Sequence, residues 1–234
     1  MINYRHFPCK PKLRLYQQLK VGPLAFKTQR IIPAARIQSP WLRGFYFRLR
    51  SCLLLFWGLY PLSPFVKGPI KPFGLHLYHC HVMPLKRHIH KGLYGGFIVD
   101  PQEGRPPAHE LYMLMNAFDT NFDGGNEVYA VNTVGFHFQR HPIQVKANEL
   151  IRIYLINIVE FDLINSFHLH ANFFDVYRTG TRLKTDEFTD TIMLAQGERA
   201  ILETRFKWPG QYMFHAHVSE LAELGWLGMF EVTP

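Results

Sequence analysis

From about Lys71 onward the chain alternates short apolar, β-branched and aromatic runs with turn residues. The runs cover 75–81, 96–99, 111–116, 128–131, 143–145, 150–158, 167–174, 176–178, 201–206, 211–217 and 229–232. Between them lie Arg105-Pro106-Pro107, Asp123-Gly124-Gly125, Thr179-Gly180 and Pro209-Gly210. Runs this short and this closely spaced, with no long 3.6-residue period, predict an all-β sandwich or barrel. Val145 to Glu149 reads as a tight turn feeding the strand LIRIYLINI.

The Pro-rich piece 101–107 reads as a linker between a short segment, 71–100, and a complete β domain, 108–234. The two parts echo each other. LHLYHCH followed by GLYGGFIV near residue 75 returns as GQYMFHAH followed by GWLGMFEV near residue 210. Each copy is a strand, a His-x-His, a loop, a Gly-containing turn and a last strand, which predicts two related domains.

Charge divides the chain differently. Residues 1–99 contain 16 Lys and Arg and no acidic residue, whereas residues 100–234 carry 10 basic and all 18 acidic residues. The basic part lacks RNA-binding aromatic motifs and a helical charge stripe, so nucleic acid is not an expected partner. Its apolar stretch 52–60 (CLLLFWGLY) is too short to span a membrane. Residues 1–70 therefore read as an unassigned basic segment, either foreign to the fold that follows or a targeting stretch. The cysteines Cys9, Cys52 and Cys80 are too few and scattered for a disulfide scaffold.

The chemistry sits in the histidines. Thirteen are present, and they form four His-x-His pairs: His79/His81, His88/His90, His168/His170 and His215/His217. Random placement gives about one such pair. On a strand, residues i and i+2 face the same way, roughly 6–7 Å apart, a spacing that suits two neighbouring metal ions better than one. Imidazole alone leaves copper, zinc, iron and nickel open. Cys80 narrows the choice: lying between His79 and His81, it faces the opposite side of the strand and offers a thiolate to a separate metal. Thiolate with imidazole is the donor set of a blue-copper electron-transfer centre.

HCH followed by His88-x-x-x-Gly92-Leu93, with HLH and HAH later, resembles the copper motifs of multicopper oxidases, the family of laccases and two-domain copper oxidases, over about residues 71–234. YHCH…HIHKGLYGGFIVDP is also similar to copper nitrite reductases, which need one histidine beside the cysteine and a lone histidine in the second domain. The resemblance implies a cupredoxin-like Greek-key β-sandwich, complete in one domain and represented by the C-terminal part of another. It implies Cys80 and His88 as type 1 copper ligands, with Leu93 at a non-coordinating axial position. His79, His81, His215 and His217 would hold the type 3 pair, while His168 would bind type 2 copper and His170 type 3. In the second copy Ala216, Leu221 and Asn165 stand where type 1 ligands are expected, with Gly225 and Trp226 completing the remnant. Cys80, His79 and His81 would carry electrons from a small reducing substrate, such as a phenol, aromatic amine or metal ion, towards dioxygen. A homotrimer and a periplasmic, cell-surface or secreted location follow from the same likeness. The pattern also calls for an earlier His-x-His, whereas residues 1–70 contain only His6, so a non-catalytic copper-binding remnant is the alternative, with nitrite reduction a third reading.

The remaining candidates have plainer expectations. His76, His109, His137 and His141 are expected at the surface or in the core, and His90 behind a metal ligand. Glu220 and Glu223 are expected in a solvated loop, and Phe167, Phe173, Phe174 and Phe214 in the core.

Overall fold

The computed structural model describes residues 73–234, with the backbone of Leu13–Gln17. Its regular structure is mostly strand. Cys9, Cys52, His6 and the stretch 52–60 lie outside the described residues. Residues 109–234 form a sandwich. One six-stranded sheet contains β4 (His109–Phe118), β5 (Val128–Val131), β7 (Ile151–Asn157), β9 (Phe174–Arg178), β10 (Glu187–Thr189) and β12 (Arg199–Thr204), ordered β10-β9-β12-β7-β4-β5. A five-stranded sheet holds β6 (Ile143–Lys146), β8 (Ile164–Leu169), β11 (Thr191–Ala195), β13 (Gly210–His215) and β14 (Leu227–Thr233), ordered β11-β8-β13-β14-β6. Between them Ile153, Leu155, Val176 and Leu202 of the first sheet meet Phe167, Leu194, Phe214 and Phe230 of the second. Each such side chain taken from water contributes about 1.5–3 kcal/mol.

The preceding segment forms a hairpin of β2 (Gly74–His79) and β3 (Tyr94–Val99), completed by β1 (Leu13–Gln17), which pairs antiparallel with β3. Five residues of the basic segment thus belong to a regular sheet, a role their sequence did not announce. The hairpin packs on the outer face of the six-stranded sheet, where Leu75, Tyr94 and Ile98 meet Leu114, Tyr154, Ile156 and Ile201. β7 is therefore covered on both sides, and all seven of its residues are buried. That accounts for its mostly apolar run, broken only by Arg152 and Asn157. The Leu75 amide donates to Thr179 O over 2.9 Å, and the Arg199 guanidinium donates to Leu75 O over 2.8 Å. Gly74, at φ 137°, is needed there because a Cβ would lie 2.6 Å from Thr179 O.

Two expectations change. The run 167–174 is two strands, because the chain leaves the five-stranded sheet after Leu169 and enters the six-stranded sheet at Phe174, turning through Ala171 at φ 53°. The change of sheet puts His170 at the end of the sandwich. It also turns Phe173 outward, 50% exposed and stacked on Phe188, so Phe173 is not a core residue, unlike Phe167, Phe174 and Phe214. The short edge strands β10, of three residues, and β11, of five, were not among the predicted runs. Among the described residues, no helix is long and apolar enough to cross a membrane.

Candidate metal centres

Four imidazoles converge at one end of the sandwich. β8 and β13 are antiparallel neighbours with His168 opposite His215, and His170 and His217 follow two residues along each chain. The His168 ring centroid lies 5.0 Å from that of His170, 5.4 Å from His215 and 5.1 Å from His217. His170 Nε2 and His215 Nε2 face each other at 2.9 Å. One candidate ligand atom from each of His168, His170 and His215 falls within 4.8 Å of the others.

Their protonation is set by oxygen acceptors. His168 Nδ1 lies 3.1 Å from Asp190 O and 2.7 Å from Thr191 Oγ1, and that hydroxyl donates in turn to Asp190 Oδ1 over 2.9 Å. His215 Nδ1 lies 2.6 Å from Ala216 O, and His79 Nδ1 lies 3.1 Å from Cys80 O. A carbonyl oxygen only accepts, so Nδ1 carries the proton in each ring and Nε2 keeps a lone pair for a metal. Burial, reinforced by His215, His168 and His217, lowers the His170 pKa and favours the neutral, ligating form.

A second group lies at the end of the hairpin. Strand β2 stops at His79, so Cys80 and His81 occupy the first extended positions beyond it rather than the strand itself. Cys80 Sγ lies 3.4 Å from His88 Nδ1 and accepts from the Val82 amide at 3.4 Å. The rings of His79 and His81 instead stack on each other, with centroids 4.5 Å apart. The thiol and its flanking imidazoles thus serve different neighbours. His88 sits on a short helix, Leu85–His90, where the sequence suggested only a loop. Among the described residues, the His79/His81 pair makes no ring contact with the four converging imidazoles, His168, His170, His215 and His217. Thiol with imidazole in one place, and neutral imidazole nitrogens in the other, form a donor set that fits copper.

The two copies of the repeat share their hydrogen bonds. The Cys80 amide donates to Leu93 O (2.9 Å) and the Leu93 amide to His88 O (3.2 Å). In the second copy, Ala216 donates to Trp226 O (3.1 Å) and Trp226 to Leu221 O (2.9 Å). Ala216, Leu221 and Trp226 thereby occupy the places of Cys80, His88 and Leu93. The Trp226 indole Nε1 donates to Asn165 Oδ1 over 3.0 Å, and all four residues are buried. The second copy keeps the loop and fills its interior with side chains that do not bind copper.

Other histidines have their own neighbours. His76 stacks on Phe97, His109 lies 3.5 Å from Glu149, His137 and His141 contact each other, and His90 stacks on Phe161. Glu220 and Glu223 are exposed. Asp119, Asp123 and Glu127 in the β4–β5 turn bring carboxylate oxygens within 4.8 Å of one another. Thr191 and Asp190 escaped sequence reasoning because they reach His168 through β11, an edge strand with no motif of its own.

Comparison with known proteins places the chain in a copper-binding family. The family model for multicopper oxidase matches residues 105–234, and the chain belongs to that family. A crystal structure of a multicopper oxidase is 60% identical, with a TM-score of 0.69 over 70% of this chain and 57% of that one. The copper-containing nitrite reductase of Neisseria meningitidis serogroup B is 33% identical over 179 residues, 68% of this chain and 45% of its own length. The chain thus spans less than half of that relative. A Cu-containing nitrite reductase from Thermus scotoductus shares the fold, with a TM-score of 0.63 at 23% identity, covering 69% of this chain and 41% of that one. The sandwich is cupredoxin-like, and the family is one of copper oxidoreductases.

Proposed function

We propose that the chain is the C-terminal part of a laccase-like copper oxidase, with residues 71–100 ending a first cupredoxin domain and 108–234 forming a second. Cys80 and His88 are its type 1 ligands, beside a non-coordinating Leu93. His168 serves type 2 copper, and His79, His81, His170, His215 and His217 serve the type 3 pair. Copper bound at these residues supplies one-electron chemistry that couples oxidation of a small reducing substrate to reduction of dioxygen to water. The chain's own residues set the geometry: Thr191 and the Asp190 carbonyl hold the His168 proton on Nδ1, and the Ala216 and Cys80 carbonyls do the same for His215 and His79. Cys80 joins its two flanking imidazoles through one residue of backbone on either side, a short path for an electron. In this reading His79 and His81 meet the four converging imidazoles across an interface between copies of the chain, in keeping with a homotrimer.

The observation that carries this reading is the convergence of four imidazoles at one end of the sandwich, where a mononuclear site needs fewer. The test is copper quantitation with visible and EPR spectra of the purified chain, alone and with its Cys80→Ser variant. Blue thiolate absorption that vanishes in the variant, with copper beyond one type 1 and one type 2 ion per chain, is the expected result. Retained blue colour removes Cys80 from its role. The identity to a copper-containing nitrite reductase favours a second reading, nitrite reduction, which one type 1 and one type 2 ion per chain would support. Copper uptake without turnover of either acceptor would mark a non-catalytic remnant.

A further inference from the structure

The surface beside Cys80 differs in charge from its counterpart in the second copy. After Cys80 the chain exposes Val82 (55%) and Met83 (79%), with Pro84 also exposed, and then forms the helix Leu85–His90, of which only Ile89 is buried. Lys86, Arg87 and Lys91 are exposed around these apolar residues, and residues 73–99 contain no Asp or Glu. In the second copy the equivalent turn, Ser219–Glu223, exposes Glu220 and Glu223 and carries no cation. The shared hydrogen bonds align Arg87 with Glu220, one residue before His88 and Leu221 respectively. The copy that holds a thiol is positive, and the copy that lost it is negative. Since both turns have the same backbone role, the fold does not demand this difference.

We propose that the Val82–Lys91 surface docks an acidic electron-carrier protein, which delivers its electrons next to Cys80; this rests on the reading of Cys80 and His88 as a copper site. An apolar centre rimmed by charge is the anatomy of a transient protein interface, and a small anion has no use for exposed Val82 and Met83. The cations attract an anionic partner over a Debye length and orient it, while the apolar centre gives close contact. Lys86 is partly engaged, its Nζ lying 4.8 Å from the Phe161 ring centroid. Glu160 and Asp162 flank that ring in sequence, and the Asp162 carboxylate accepts from Tyr129 (2.7 Å) and Asn126 (2.8 Å). Arg87 and Lys91 are therefore the cations that a partner meets first. One electron leaves the carrier and enters through Cys80, with no bond made or broken.

The experiment compares a reduced acidic c-type cytochrome with a reduced basic one, using the copper-loaded full chain. Association is read by calorimetry or NMR line broadening, and electron delivery by bleaching of the blue band. Binding of the acidic cytochrome that weakens as salt rises, and that falls about tenfold or more in the Arg87→Glu/Lys91→Glu variant, is expected. The basic cytochrome should gain from the same variant. Equal binding of both cytochromes, or a variant that binds the acidic one unchanged, overturns the docking surface, as does binding only to phosphatidylserine vesicles. Absence of a blue band would count against the copper reading alone, because the association measurements decide the docking surface without it. A melting curve matching wild type shows that the variant is folded.

Discussion

The indole Nε1 of Trp226 donates a hydrogen bond to Asn165 Oδ1 over 3.0 Å inside the sandwich, and both residues are almost wholly buried. The pair, with Ala216 and Leu221, fills the volume that the matching loop of the first copy devotes to Cys80 and His88. Losing a metal from the interior of a cupredoxin loop leaves a polar, under-packed space; here a large ring occupies it and its single donor is satisfied.

Trp226→Phe should therefore destabilise the domain by about 1–3 kcal/mol, because the ring shrinks and buried Asn165 Oδ1 loses one of its two donors, keeping only the Ser166 amide at 2.7 Å. Urea unfolding of the two proteins checks it. Copper content should stay unchanged, since Trp226 touches none of the four converging imidazoles at hydrogen-bonding range. A loss of copper in this variant would show that the filled loop supports the metal site.

Thr191→Val keeps the side-chain shape and removes the hydroxyl that accepts from His168 Nδ1 at 2.7 Å. Only the Asp190 carbonyl at 3.1 Å then holds the ring. Partners behind metal-binding histidines typically contribute a factor of about 10–100 in affinity. Competition with a copper chelator should show a fall in that range for one class of copper, while the blue band from Cys80 persists. Simultaneous loss of both would mean the variant had disturbed the fold.

The sequence announced the copper chemistry more fully than the architecture around it. His-x-His pairs and the Cys80 flank follow from spacing alone, and LIRIYLINI was legible as a strand, though not that both of its faces are buried. What spacing could not show was where the chain changes sheet. The run 167–174 reads as one aromatic-rich strand, yet it breaks at Ala171, because a strand that ends in one sheet must cross the sandwich to reach the other. Phe173 was misread for that reason. Thr191 and Asp190 were invisible for a related one: they meet His168 only after β11 folds back along β8, a pairing with no local signature. The strand Leu13–Gln17 likewise depends on a partner nearly eighty residues away in β3.

Arg152 gives a sharper test of how the linker is held to the sandwich. Its guanidinium is 1% exposed and meets Glu203 at 2.6 Å, Glu110 at 3.3 Å and the Pro106 carbonyl at 3.0 Å, while Tyr154 donates to Glu110 at 2.8 Å. Burial alone would lower its pKa, but the Glu203 hydrogen bond and charge outweigh that and raise it. Arg152→Ala should cost about 3–5 kcal/mol, because two carboxylates lose their counter-charge in a poorly solvated place. Substituting Glu203→Gln in the same chain should recover part of that loss, and a double-mutant cycle by chemical denaturation measures the recovery.

The last expectation concerns pH. Burial lowers the His137 pKa below the ordinary histidine value of 6.5, and the neighbouring His141 lowers it further. As pH falls through that unperturbed value, the unfolded chain takes up a proton before the folded chain does, so unfolding is favoured. Metal-free protein should accordingly lose stability as pH drops from about 6.5 towards the depressed folded value, and level off below it as far as this residue is concerned. His170 acts in the same direction in metal-free protein, since burial and its three neighbouring imidazoles also lower its pKa. The two contributions separate on adding copper: a bound metal holds His170 neutral in the folded state, which steepens the dependence it imposes, and leaves that of His137 alone. Denaturation midpoints at several pH values, for wild type and His137→Gln, with and without copper, provide the check. The variant should flatten the slope by the same amount in both conditions, and a change that appears only with copper present would place His137 among the metal-linked groups instead.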